Sequence, residues 1–249
     1  MTDLLKGHRI TRLTVLDFGL FDVGGKRTIG IPGYLLETDK GARVLVDTGF
    51  PPDYATDPEG AEARDGLSRF GRLIGFGAHQ TAVGQLALLG LVPADITLLI
   101  LTHGHIDHVG SLPLFPCPVV LTARERAEPK PLYFGGRQPM DWPDTIYHLI
   151  HAETDLCDGL RLIPTPGHTA GHVSLLVTLP QTGPVILAAD AINRASEPAE
   201  GFADADDPVA SVPSANSLFA LRDTLGALLI YGHEPTQWSE LRKAPAFYD

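Results

Sequence analysis

A chain of 249 residues with 44% hydrophobic and 20% charged side chains has an ordinary globular composition and enough length to bury a core. Its formal charge of −11, from 19 basic and 30 acidic residues, repels phosphate backbones and anionic lipid, so nucleic acid and membranes are excluded as expected partners. The opening MTDLLKGHRI lacks the basic start and long apolar run of a secretory signal. Pro93 and Asp95 interrupt the best apolar stretch, Leu86 to Leu101, before it reaches membrane-spanning length. Cys117 and Cys157 are isolated, which suits reduced thiols and a cytoplasmic location.

Ile10 to Leu20 alternates loosely and predicts an edge strand. Gly33 to Thr38 and Arg43 to Gly49 are β-prone runs joined by Asp39-Lys40-Gly41, which predicts a hairpin. Asp47 closes the second run, where its carboxylate either caps the turn at Gly49 or orients a metal-bound imidazole. Phe50 to Ala78 has no sustained period and reads as a long loop, expected to cover part of a site or form a subunit contact. Ala82, Val83, Leu86 and Leu89 then recur at helical spacing, with Pro93 expected to end that helix and His79 expected at the surface.

Ile96 to Leu101 predicts a buried strand leading directly into His103-Gly104-His105-Ile106-Asp107-His108. A polar turn of three His and one Asp can be no more than a solvated surface feature. Here, however, four potential ligands fall within six residues at a strand end, and neutral imidazoles with a carboxylate suit zinc or a similar divalent transition metal. Val109 to Phe115 can begin a short helix. Cys117 to Thr122 is the next predicted strand, followed by the helix-prone ARERAE. Glu128 to Glu153 reads as an irregular insert whose Tyr133, Phe134, Trp142 and Tyr147 either line an apolar pocket or simply anchor the insert.

Gly159 to Leu179 predicts two strands around a tight Pro-Gly turn bearing His168. Val185 to Asp190 is an apolar run ending in an acid, Val209 to Leu225 a helix, and Ala227 to Glu234 a last strand with His233 near its end. Strand after strand thus finishes in a ligand-type residue, and sites in layered α/β proteins cluster at strand ends on one edge. His172 is expected to support the site or pack nearby, whereas His8, His148 and His151 show no ligand spacing.

Taken together, GYLLETDKGARVLVDTGFP, DITLLILTHGHIDHVG, TPGHTAGHVSLLV, VILAADA and LLIYGHE resemble the metallo-β-lactamase superfamily, and within it the N-acyl-homoserine lactonases. The resemblance implies an α/β fold, a four-layered αββα sandwich forming a single domain over residues 1–249, with a two-metal site in the cleft between its halves. It implies that His103, His105 and His168 hold one divalent ion and that Asp107, His108 and His233 hold the other, with Asp190 bridging. Zinc is the expected metal, with manganese, cobalt or iron as alternatives. The implied reaction is the opening of a lactone by a metal-bridging hydroxide, with Asp107 also serving the leaving oxygen. The substrate would be a small lactone or ester, and the apolar inserts suit a homodimer.

Other subfamilies fit less well. The secreted β-lactamases usually carry Cys at the position of Asp190, flavodiiron proteins carry Glu at that of His105, and the nucleases favour basic surfaces. A thioesterase or other carboxylic-ester hydrolase, and a metal-binding module without turnover, are the alternatives. One departure stands out: many lactonases have a Tyr three residues after the bridging Asp, and here that position is Asn193. Asn193 is the candidate catalytic donor at that position, but it is shorter than Tyr and places its donor elsewhere, so either another group such as Tyr133 or Tyr147 takes the role or the substrate is different.

Overall fold

The computed structural model describes residues 5–134 and 138–249. Residues 1–4 of the N-terminal reading and 135–137 of the insert lie outside the described residues. The strands are β1 (Ile10–Val23), β2 (Arg27–Thr38), β3 (Arg43–Val46), β4 (Arg72–Ile74), β5 (Leu98–Ile100), β6 (Val119–Thr122), β7 (Tyr147–Ile150), β8 (Thr154–Cys157), β9 (Leu160–Pro164), β10 (Val173–Leu179), β11 (Gly183–Leu187) and β12 (Leu228–Ile230). The helices are α1 (Pro58–Asp65), α2 (Ala82–Leu88), α3 (Ile106–Val109), α4 (Ala123–Arg126), α5 (Glu197–Glu200), α6 (Pro208–Leu225) and α7 (Pro235–Glu240). One sheet runs β4-β1-β2-β3-β5-β6-β7 and the other β12-β11-β10-β9-β8.

The period of two along the strands explains the layering. In the first sheet Val44, Val46, Leu98, Ile100 and Val120 turn toward a core shared with Leu162, Leu175, Val177 and Leu187 of the second sheet. Their neighbours Leu45, Leu99, Leu101, Val119 and Leu121 turn the other way, onto a cluster that includes Ala61 of α1 and Ala82 and Leu86 of α2. The outer face of the second sheet, through Ile186 and Leu229, packs against Ala215 and Leu218 of α6. Strands buried on both faces read as continuous apolar runs. The result is helices, sheet, sheet and helix, the expected αββα order.

The β2–β3 hairpin forms as predicted. Other segments depart from expectation for local reasons. β1 is an edge over only part of its length, because Leu20, Phe21 and Asp22 pair with β4, a strand inside the segment read as a long loop, while Leu13 and Val15 meet the C-terminal segment through single bridges. That segment also contains α1 and buries Tyr54 and Leu67. α2 ends before Pro93, because Gly90 takes a left-handed φ of 72° and Leu91 N–H bonds back to Leu86 O. The insert supplies β7, which joins β6 in parallel. Among the described residues no helix is long and apolar enough to cross a membrane.

Parallel pairing positions the site. β3 and β5 align Val46 with Ile100, so the residues that follow them, Asp47 and then Leu101 to His103, emerge side by side. β11 and β12 align Leu187 with Ile230, and Asp190 and His233 each lie three residues beyond those ends. The β9–β10 connection, which contains His168, returns at the same edge, with Pro164 opposite Val173.

Candidate metal centre

All seven predicted ligands meet at this edge. His103, His105 and His168 form one group whose donor atoms lie within 4.8 Å of one another, and Asp107, His108 and His233 form a second. His103, His108 and Asp190 form a third group of the same size that overlaps both. Asp190 lies between the two triads: one carboxylate oxygen is 3.2 Å from His168 Nε2 and 3.3 Å from His233 Nε2, and the other is 3.3 Å from His108 Nε2.

The outer ring nitrogens of His103, His108 and His233 are occupied, which fixes which of their nitrogens faces the centre. Asp47 Oδ2 is 2.8 Å from His108 Nδ1 and also accepts the Thr102 hydroxyl at 2.8 Å. The same Thr102 oxygen is 3.1 Å from His103 Nδ1. One carboxylate thereby orients two imidazoles, His108 directly and His103 through Thr102, leaving both Nε2 lone pairs pointed inward. Gly30 O does the same for His233 Nδ1 at 2.9 Å. Between its two expected roles, Asp47 therefore orients an imidazole. It holds this position at φ 60°, a backbone region that Asp tolerates better than most residues.

Burial lowers the pKa values of His103, His105 and His168, which favours neutral rings with free lone pairs. Burial acts the same way on His108 and His233, but Asp107 and Asp190 outweigh it and raise both. Burial works against ionised Asp190, yet His233, His108 and His168 hold its carboxyl well below the usual range. The carboxylates thus favour positive charge at this point, whether carried by protons or by a divalent cation. His103 Nε2, His108 Nε2 and Asp190 Oδ1 are buried without a hydrogen-bond partner, the last two facing each other only as an ion pair at 3.3 Å. Orphaned buried acceptors are costly, and a cation accepting all three satisfies them at once, so this donor set fits divalent metal.

A cleft of ≈ 150 Å³ opens onto Asp107, Asp190 and His233. Phe21, Ile29, Phe50, Phe70 and Phe134 form its apolar wall, and Arg27, Asn193, Arg194 and Asp204 its polar side. The segment after Phe50 therefore does cover part of the site. The insert divides its aromatics: Phe134 lines the cleft, whereas Trp142 and Tyr147 anchor the chain through bonds to Glu128 O and Pro143 O. Tyr133 is buried against a separate groove with Arg64 and Pro51. Neither tyrosine lines the cleft. Asn193 does, with its backbone N–H and amide Nδ2 both donating to Glu197.

Residues 30–233 match the family model for the metallo-beta-lactamase superfamily. The chain belongs to the metallo-beta-lactamase superfamily. This superfamily member is 31% identical over 247 residues to the N-acyl homoserine lactonase AttM of Azorhizobium caulinodans, covering 91% of this chain and 90% of that protein. It is 30% identical over 220 residues to the N-acyl homoserine lactonase of Bacillus thuringiensis, covering 86% and 85%. A solved N-acyl homoserine lactone hydrolase, with N-hexanoyl-L-homoserine bound at its catalytic metal center, superposes with a TM-score of 0.85 at 24% identity, covering 96% of this chain and all of that one. The dizinc quorum-quenching lactonase AidC aligns with a TM-score of 0.65 at 18% identity, covering 98% and 97%.

His172 stands outside the three groups. Its Nε2 accepts the Asp190 backbone N–H at 3.1 Å and its Nδ1 is 2.8 Å from Thr165 Oγ1. Burial pushes its pKa down to about 3, so the neutral ring supports the loop that carries Asp190. His8, His79, His148 and His151 belong to none of the groups. Sequence reasoning missed Thr102 and Glu125. The Thr-x-x-Glu spacing from Thr122 to Glu125 was a legible helix-start signal, and Thr122 Oγ1 does accept Glu125 N–H at 3.0 Å. The Glu125 carboxylate, however, points to the site loops instead of back to the cap.

Proposed function

We propose that this protein hydrolyses lactones, with N-acyl-homoserine lactones as the first candidates, and so can act in quorum quenching. The observation that carries the reading is the convergence of orphaned His103, His108 and Asp190 atoms beside an apolar cleft, in a chain whose relatives are named N-acyl homoserine lactonases. His103, His105 and His168 would hold one divalent ion, Asp107, His108 and His233 a second, and Asp190 would contact both. Zinc suits this imidazole and carboxylate set. When bound, two such ions activate water and polarise a carbonyl.

The chain's own residues supply the rest. The phenylalanine wall takes an acyl chain out of water, at ≈ 0.8 kcal/mol per buried methylene. Asn193 retains one amide hydrogen beyond its bond to Glu197 and would donate it to the lactone carbonyl. Water oxygen bonds to the carbonyl carbon as its proton passes to the Asp107 carboxylate at the cleft wall, the ring C–O bond breaks, and Asp107 hands that same proton to the departing ring oxygen. The product is a hydroxy acid. Two free cysteines support a cytoplasmic setting, and a homodimer is the assembly this reading expects.

Proton release from a panel of N-acyl-homoserine lactones and simple γ- and δ-lactones tests the reading on protein of known metal content. The expected result is kcat/KM of about 10⁴ M⁻¹s⁻¹ or more, abolished in a folded His105→Ala variant. Faster turnover of an acyl-glutathione than of any lactone would instead assign a thioesterase. No turnover of either class by metal-loaded protein would leave a metal-binding module.

A further inference from the structure

We propose that Glu125 is a positioning residue that sets the affinity of one metal position selectively, the one formed by His103, His105 and His168. The inference rests on the two-metal reading above, though not on the substrate. The Glu125 side chain is buried, at 2% exposure, and three donors converge on it. Oε1 accepts the Gly104 N–H at 2.7 Å, and Oε2 accepts the Thr169 hydroxyl at 2.7 Å and the Gly171 N–H at 3.2 Å. Gly104 lies between His103 and His105, and Thr169 follows His168. One carboxylate therefore ties together the two loops that carry the whole first triad, loops more than sixty residues apart in the chain.

The second triad has other supports. His108 is oriented by Asp47 and His233 by Gly30 O, and Glu125 touches neither. The loops also press closely on α4: a Cβ at Gly171 would lie 2.2 Å from Glu125 N. An ionised carboxylate suits this point because it only accepts, with two oxygens. A glutamine of the same shape must turn its NH₂ toward one of the backbone N–H groups and lose that tie. Removing an outer partner of a metal ligand typically lowers affinity 10–100-fold. The division of supports directs that loss to one position.

The test is chelator competition on the full chain with zinc, together with cobalt absorption spectra. The unaltered protein is expected to bind about two ions per chain. In Glu125→Gln, one dissociation constant is expected to rise about 10–100-fold while the other is unchanged, and one component of the cobalt spectrum is lost. Asp47→Asn should weaken the other position through His108 and, because Thr102 links Asp47 to His103, the first position as well, so it serves as the non-selective comparison. In a His105→Ala background, where the first triad is already broken, adding Glu125→Gln should leave the remaining ion's affinity unchanged. Glu125→Ala serves as a more severe companion, and the near-isosteric Gln variant carries the test if it fails to fold.

In Glu125→Gln, equal weakening of both positions or no change at either, or fewer than two ions in the unaltered protein, would overturn the proposal. Two tightly bound ions with the Gln effect but without lactone turnover would sink the lactonase reading and leave the role of Glu125 standing.

Discussion

Asp47 Oδ2 lies 2.8 Å from His108 Nδ1, with both side chains 2% exposed. Thr102 N–H and Oγ1–H complete the shell of this carboxylate at 2.8 Å each. Asp47→Asn keeps a residue type that tolerates positive φ, but it places an amide N–H against donors that need an acceptor. The expected result is a loss of about 10–100-fold in lactone kcat/KM, accompanied by loss of metal. Activity and metal content measured on the same preparation check it. Full activity would mean that Thr102 alone suffices to orient the rings.

Asn193 tests the catalytic assignment from the opposite side of the cleft. Removal of an oxyanion donor costs about 10²–10³-fold in kcat, so Asn193→Ala should lower kcat by that order with metal content unchanged. If kcat changes less than severalfold while thermal stability falls, Asn193 serves only to hold Glu197.

Metal removal should be visible in stability. An ion that binds only the folded chain at 100-fold excess over its Kd contributes about 2.7 kcal/mol, and each kcal/mol is worth about 2–4 °C in Tm for a chain of this size. Chelation is expected to lower Tm by about 5–10 °C, with zinc restoring it. Calorimetry with and without chelator decides; an unchanged Tm with the metal verifiably gone would show that the centre contributes nothing to stability.

The two thiols carry a pH prediction. Burial disfavours the charged thiolate and pushes both Cys117 and Cys157 up to about 11. At pH 8 only about one thiol in a thousand is then ionised, so reaction with a disulfide reagent should be slow in the native protein and rise roughly tenfold per pH unit. The linked effect on stability has a definite sign: a raised folded pKa means that the contribution is present at neutral pH and is lost as pH climbs from the unfolded value of about 8.5 toward 11. Rapid labelling at pH 7 would contradict this account of the burial.

How much was legible in the chain varied with the range of the interaction that decided each feature. The HGHIDH run, the β2–β3 hairpin and α6 were readable because ligand spacing, turn chemistry and an apolar period are local. β4 and β7 were hidden: Arg72-Leu73-Ile74 and Tyr147–Ile150 are strands only because Asp22 and Thr122 offer them backbone partners. The true end of α2 lay with Gly90, where a left-handed conformation stops the helix before the proline does. Glu125 drew no reading of its own within the helix-prone ARERAE, because the distant Gly104, Thr169 and Gly171 groups that bury it carry no signal near it.

By itself, then, the sequence determined the donor types, their order along the chain and the strands that deliver them, since these follow from residue chemistry and short-range periodicity. Only the tertiary structure decided that they form one centre. Parallel registers bring Asp190 level with His233 and Asp47 beside Thr102, and the β9–β10 connection adds His168 at the same edge. Which imidazole nitrogen faces inward was likewise decided by long-range partners, Asp47 for His108 and Gly30 O for His233. A hydrogen bond between residues that far apart depends on the register of the sheets, and register is a property of the packed chain.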